Sequence, residues 1–134
     1  MFGLFRKKKV PPLGDELHFK SNQAAFEYCC RFLDTTIRDR DTLPALVTDV
    51  KHRQDGRQIC ALQVASKEGG FRLEFCETIN EHVPPLRVGD LVAWYVAEYS
   101  EALGKAGLFM SSWVVEKLEP VYNIKHAAWK ISRQ

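Results

Sequence analysis

A chain of 134 residues with 46% hydrophobic and 27% charged side chains has the composition of one globular domain, long enough to bury roughly two-thirds of its unfolded surface. Nothing in it approaches the apolar run of about 20 residues that a membrane-spanning helix needs. The net charge of +2 is unevenly spread: Arg6, Lys7, Lys8 and Lys9 put +4 on the first nine residues, Lys125, Lys130 and Arg133 put +3 on residues 120–134, and the body between carries −5, which argues against a broad phosphate-gripping face on the folded part.

Residues 1–20 hold the basic run, Pro11-Pro12 and Gly14, and follow neither a helical nor a strand period; they read as a flexible basic lead-in to a single domain over 21–134. Phe2, Leu4 and Phe5 precede the charges, the reverse of a secretory signal, so the segment is expected to stay uncleaved. Those rings followed by four cations also suit a membrane surface, but so short a stretch is a weak anchor and a solvated terminus is the expectation. Ser21 and Asn22 are capping residues, and Phe26, Cys29, Cys30, Leu33 and Ile37 then fall on one face of an amphipathic helix over 21–38.

After Pro44 the period becomes two. Residues 45–77 read as a β meander, with Asp55-Gly56 and Gly69-Gly70 as its turns and with Phe71, Leu73 and Phe75 directed inward. Pro84-Pro85 keep the following connection out of an interior strand. Residues 91–100 form the most hydrophobic strand and 108–119 a fifth, stopped by Pro120. In the remaining segment, 120–134, Ile124, Ala127, Ala128 and Ile131 at helical spacing suggest a short C-terminal helix.

The expected fold is mainly β (α+β): a small five-stranded antiparallel barrel of the OB or SH3-like kind, or a strongly curved sheet, with the N-terminal helix packed against it. Residues 86–92, Leu-Arg-Val-Gly-Asp-Leu-Val, resemble the turn into a strand found in many small nucleic-acid-binding barrels.

No motif announces chemistry. Cys29-Cys30 diverge by about 100° on a helix and lack the company of a metal-binding cluster. With Cys60 and Cys76 they are expected to be reduced thiols of a cytoplasmic protein. His18, His52, His82 and His126 are scattered, Ser111-Ser112 lack a nucleophile elbow, and Glu74, Glu98 and Glu116 alternate with apolar residues as an outward face would. No catalytic residue, metal or cofactor is therefore assigned.

The expectation is a non-enzymatic binding or accessory module that engages another protein through a sheet edge, loop or apolar face. Tyr95, Tyr99, Phe109 and Trp129 are the candidate contact residues, and homo-oligomerisation is compatible with this reading. The alternative is single-stranded nucleic-acid binding. There Lys51, His52, Arg53, Arg57 and Arg72 would supply the cations, and rings such as Trp94, Tyr99, Phe109 and Trp113 would stack on bases.

Overall fold

The computed structural model describes residues 15–33, 42–66, 68–77, 83–99 and 109–133. The basic run at 6–9, His82, the loop at 101–107 and the 34–38 end of the expected helix lie outside the described residues. In chain order the elements are β1 (Glu16–His18), α1 (Asn22–Arg31), β2 (Thr42–His52), β3 (Gln58–Ala65), β4 (Phe71–Glu77), β5 (Leu91–Tyr99), β6 (Phe109–Asn123) and β7 (Ala128–Ile131). All seven strands join one antiparallel sheet in the order β1-β6-β5-β2-β3-β4, with β7 also pairing β6.

This corrects the five-stranded barrel. The sheet curls enough for β4 and β6 to approach each other, but among the described residues no ladder joins them, so the sheet stays open with β4 at one end of the strand order. The N-terminal helix expected over 21–38 is corrected as well. A strand precedes it, and it is a ten-residue helix ending at Arg31. Ser21 Oγ caps its start by accepting the Ala24 N–H at 3.0 Å, while Phe32, at φ −125°, has left helical geometry.

The expected C-terminal helix is instead a hairpin. Asn123 Oδ1 accepts the His126 N–H at 2.8 Å, Ala127 takes a φ of 51°, and β7 returns along β6 with Asn123 opposite Ala128. The helical spacing was a coincidence of a short segment. Ile124 and Ile131, the proposed apolar face, are exposed, while Trp129 packs against Tyr122 at 5.0 Å and Phe19 at 5.7 Å.

Two prolines thought to bound strands lie inside them. Pro44 pairs with Ala93 on the β5 side, and the β3 ladder begins only at Ala45, so its missing N–H leaves no gap. Pro120 falls where β6 has left β5, whose last partner is Leu118, and is about to take up β1 at Val121.

The register sorts the core onto the two faces of the sheet. On the concave face lie Ala45 and Val47 of β2, Leu62 and Val64 of β3, Val92 and Trp94 of β5 and Val114 of β6, all buried. The segment 83–90 seals one end of it. Leu86 is buried and its backbone exchanges two hydrogen bonds with the Gln58 amide, at 2.9 and 3.0 Å.

On the opposite face Leu46, Leu91 and Leu118 stand in one cross-strand line beside Ala65, and all four are buried. The helix covers them with Ala25, Phe26 and Cys29. It crosses the strands rather than following them. At its start the Phe19 N–H donates to the Pro120 carbonyl on β6, and at its end the Cys30 carbonyl accepts the Gly70 N–H at the β3–β4 turn. Ten residues of helix rise about 15 Å. Four neighbouring strands, from β6 to β3, span about 14 Å, so α1 reaches β4 at that strand's first residue, where Phe26 lies against Phe71.

Core position should therefore dominate the cost of truncation. Leu62→Ala is expected to lose about 2–5 kcal/mol in urea unfolding. Ile124→Ala, whose side chain is already solvated, is expected to stay within about 0.5 kcal/mol; a helical C-terminus would have made it the costly one.

Candidate functional site

Among the described residues β4 pairs on one side only, with β3. Its pairing runs Ala65↔Phe71, Val64↔Arg72, Gln63↔Leu73, Leu62↔Glu74, Ala61↔Phe75 and Cys60↔Cys76, and although β6 comes near it, no second ladder joins it among the described residues. The alternation places Phe71, Leu73 and Phe75 outward, which corrects the inward reading of these three. They are 52%, 63% and 69% exposed, and Ile59 on β3 adds a fourth exposed side chain on the same face. The helix touches this row only at its near end, where Phe26 and Phe71 rings lie 6.3 Å apart. Covering a Leu or Phe side chain fully is worth about 1.5–3 kcal/mol, so the stripe is a substantial uncollected source of binding energy.

The other face of β4 carries Arg72, Glu74 and Cys76. Arg72 Nε donates to Glu74 Oε2 at 2.8 Å, and the guanidinium lies 5.6 Å from the centre of the Trp94 ring. Cys76 is buried directly opposite Cys60. Burial pushes the Cys76 thiol up to about 12, helped by Cys60 and Glu74 and opposed by a hydrogen bond with the Val114 backbone. Burial, then Asp49 and Asp90, pushes Cys60 up to about 11. All four cysteines are free, and this pair stays protonated at neutral pH, a poor start for thiolate chemistry.

The sequence-based contact residues do not form this site. Tyr95 is half-buried with its ring 4.9 Å from that of Trp113. Trp129 is half-buried among Phe19 and Tyr122. Tyr99 and Phe109 are register partners at the far end of the β5–β6 ladder, and their side chains lie outside the described residues.

Nor are the five candidate nucleic-acid residues gathered. Lys51, His52, Arg53 and Arg57 are exposed around the β2–β3 hairpin, where Asp55 lies 3.7 Å from Arg53 and 4.0 Å from Arg57. Arg72 pairs with Val64 and Lys51 with Ile59, five positions apart on β3 and on opposite faces. At about 3.3 Å per residue that is roughly 17 Å along the strand. Trp94, one of the expected stacking rings, is 1% exposed.

A second feature is an open depression of ≈ 470 Å³ lined by residues including Asn22, Asp90, Lys117 and Ser132. Its one buried cation is already satisfied: Lys117 Nζ lies 3.1 Å from Asp90 Oδ2 and donates to the Pro85 carbonyl at 3.3 Å. Among the described residues no group of His, Cys, Asp and Glu is arranged to hold a metal ion, and no helix is long and apolar enough to cross a membrane. The chain matches no family model, no curated protein and no solved structure.

Residues 71–76, Phe-Arg-Leu-Glu-Phe-Cys, carry the signal of this edge in their alternation. Alternation identifies two faces but does not say which one the protein covers. The thiol positions give a pH dependence with a definite sign. In the unfolded chain both thiols ionise near about pH 8.5, whereas in the fold they hold their protons to about 11 and 12. The unfolded state then binds fewer protons, so their contribution is complete below about pH 8.5 and declines as pH rises toward the folded values. Urea midpoints measured from pH 7 upward are expected to fall in the alkaline range for the native chain and to fall less for the Cys60→Ala/Cys76→Ala variant.

Proposed function

We propose that this chain is a non-enzymatic, cytoplasmic binding module that docks another polypeptide on the free edge and exposed apolar row of β4. The observation that carries the reading is the row itself: Phe71, Leu73 and Phe75, each more than half exposed, on a strand with one side unpaired among the described residues. Strand addition uses both features together, since backbone hydrogen bonds along an edge supply affinity and alternate side chains supply selectivity. Edge strands are ordinarily blunted by charged side chains, lysine above all, or by proline or a bulge. β4 contains neither lysine nor proline, its Arg72 and Glu74 pair with each other, and its register with β3 is unbroken. Free rather than bridged cysteines suit a reducing compartment.

The oligonucleotide alternative has no comparable support, because its cations are divided between a hairpin that also holds Asp55 and the other face of a distant strand.

The test is affinity capture on sparsely immobilised full-length chain, with bound polypeptides identified by mass spectrometry. Those retained by the native chain are expected to be lost with Leu73→Lys/Phe75→Lys and kept with Arg53→Ala/Arg57→Ala. Equal retention by the β4 variant, or salt-sensitive binding of labelled single-stranded oligonucleotide that depends on Arg53 and Arg57, would sink the proposal.

A further inference from the structure

The chemistry of β4 is complementary to itself. Two hairpin closures establish which of its backbone groups face outward. The Ser66 N–H donates to the Gly70 carbonyl at 3.0 Å, and at the other end of β3 the Arg53 N–H donates to the Arg57 carbonyl at 2.8 Å. Antiparallel pairs alternate between bonded and non-bonded. Counting from either closure makes Val64↔Arg72, Leu62↔Glu74 and Cys60↔Cys76 the bonded pairs between β3 and β4. The N–H and C=O groups of Phe71, Leu73 and Phe75 therefore point away from β3, to the edge that has no ladder partner among the described residues, and the residues with outward backbone groups are those with exposed apolar side chains.

We propose that the polypeptide docking on this edge is a second copy of the chain, its β4 running antiparallel to the first about a two-fold axis at Leu73; this rests on reading β4 as a docking edge. An isologous pairing must bring outward-pointing residues face to face, which leaves Arg72, Leu73 and Glu74 as centres within the exposed row. A centre at Arg72 sets it against the partner's Arg72, and a centre at Glu74 sets two carboxylates together. Like charges directly opposite each other are destabilising. The centre at Leu73 alone sets Arg72 against the partner's Glu74, and Glu74 against the partner's Arg72. On the apolar face it sets Leu73 against the partner's Leu73 and Phe71 against the partner's Phe75, an aromatic cross-strand pair on each side of the axis. Three consecutive bonded pairs would exchange about six backbone hydrogen bonds, joining two open sheets into one.

The register makes the test specific. Arg72 and Glu74 are partly exposed, with side chains 45% and 29% accessible, and their charge can be reversed without emptying the core. The native full-length chain is expected to sediment as a dimer at micromolar concentration. Arg72→Glu and Glu74→Arg, each folded by circular dichroism, are expected to dimerise at least about tenfold more weakly, because each places like charges across both halves of the seam. An equimolar mixture of the two variants is expected to recover dimer, as is the chain carrying both changes. Under mild oxidation Leu73→Cys is expected to give a covalent dimer, since the position faces itself, and Phe71→Cys is not.

A native chain that remains monomeric across the micromolar range, or a dimer indifferent to these charge reversals, would overturn the inference. If the monomer still captures polypeptides that Leu73→Lys/Phe75→Lys loses, the docking edge stands and only the identity of its partner falls. If assembly and capture both ignore β4, both readings fall.

Discussion

The line of Leu46, Leu91 and Leu118, with Ala65 beside it, is the constraint on which the outer side of this fold turns. These side chains come from four different strands and share one face, so only an element lying across the strands can bury them together. The helix does so with Ala25, Phe26 and Cys29, held at one end by the Phe19–Pro120 backbone bond and at the other by Gly70–Cys30. Its length then matters as much as its apolar face. Ten residues rise about 15 Å, enough to span from β6 to β3, and α1 meets the next strand at that strand's first residue, where Phe26 lies against Phe71.

The concave side obeys a different rule. There the sheet covers itself: curling brings β4 toward β6, Cys76 meets the Val114 backbone, and the segment carrying Leu86 is tied down by the Gln58 amide. Trp94 fills the middle of this face and Arg72 lies over it. A cation over a desolvated ring is worth about 0.5–2 kcal/mol, which gives Arg72 a reason to face inward while Phe71 and Leu73 on either side face out. Turning β4 over would place Arg72 and Glu74 in solvent but would also remove Cys76 from its buried site opposite Cys60 and drive two phenylalanines into space already occupied by Trp94.

Function in this reading follows from incomplete coverage. Each strand from β2 to β6, β4 excepted, has neighbours on both sides over part of its length, and most of the apolar residues described on those strands are buried. β4 combines the two shortages, of hydrogen-bond partners and of cover, on one short strand. A backbone edge alone would be unselective and an exposed apolar row alone would be adhesive. Together, with Arg72 and Glu74 alternating between the apolar positions, they would specify direction and register for the strand proposed to dock there.

Much of the local structure was legible in the sequence because it depends on near neighbours. Ser21 marks a helix start through a bond to Ala24, and Asp55-Gly56 marks a turn in which Gly56 takes a φ of 88°; the two-residue period of 58–65 and 71–76 is visible as written. What the sequence by itself determined was thus the presence of a helix start, turns and alternating segments, and a composition able to sustain a core. Tertiary structure alone decided that the sheet stays open, that 128–131 pairs with β6 rather than coiling into a helix, and that Phe71, Leu73 and Phe75 face solvent. Each of these depends on which distant surface is available: Tyr122 and Phe19 for Trp129, the reach of the helix for β4. Alternation along a strand defines two faces by local geometry, and only the rest of the chain, by covering one of them, distinguishes inside from outside.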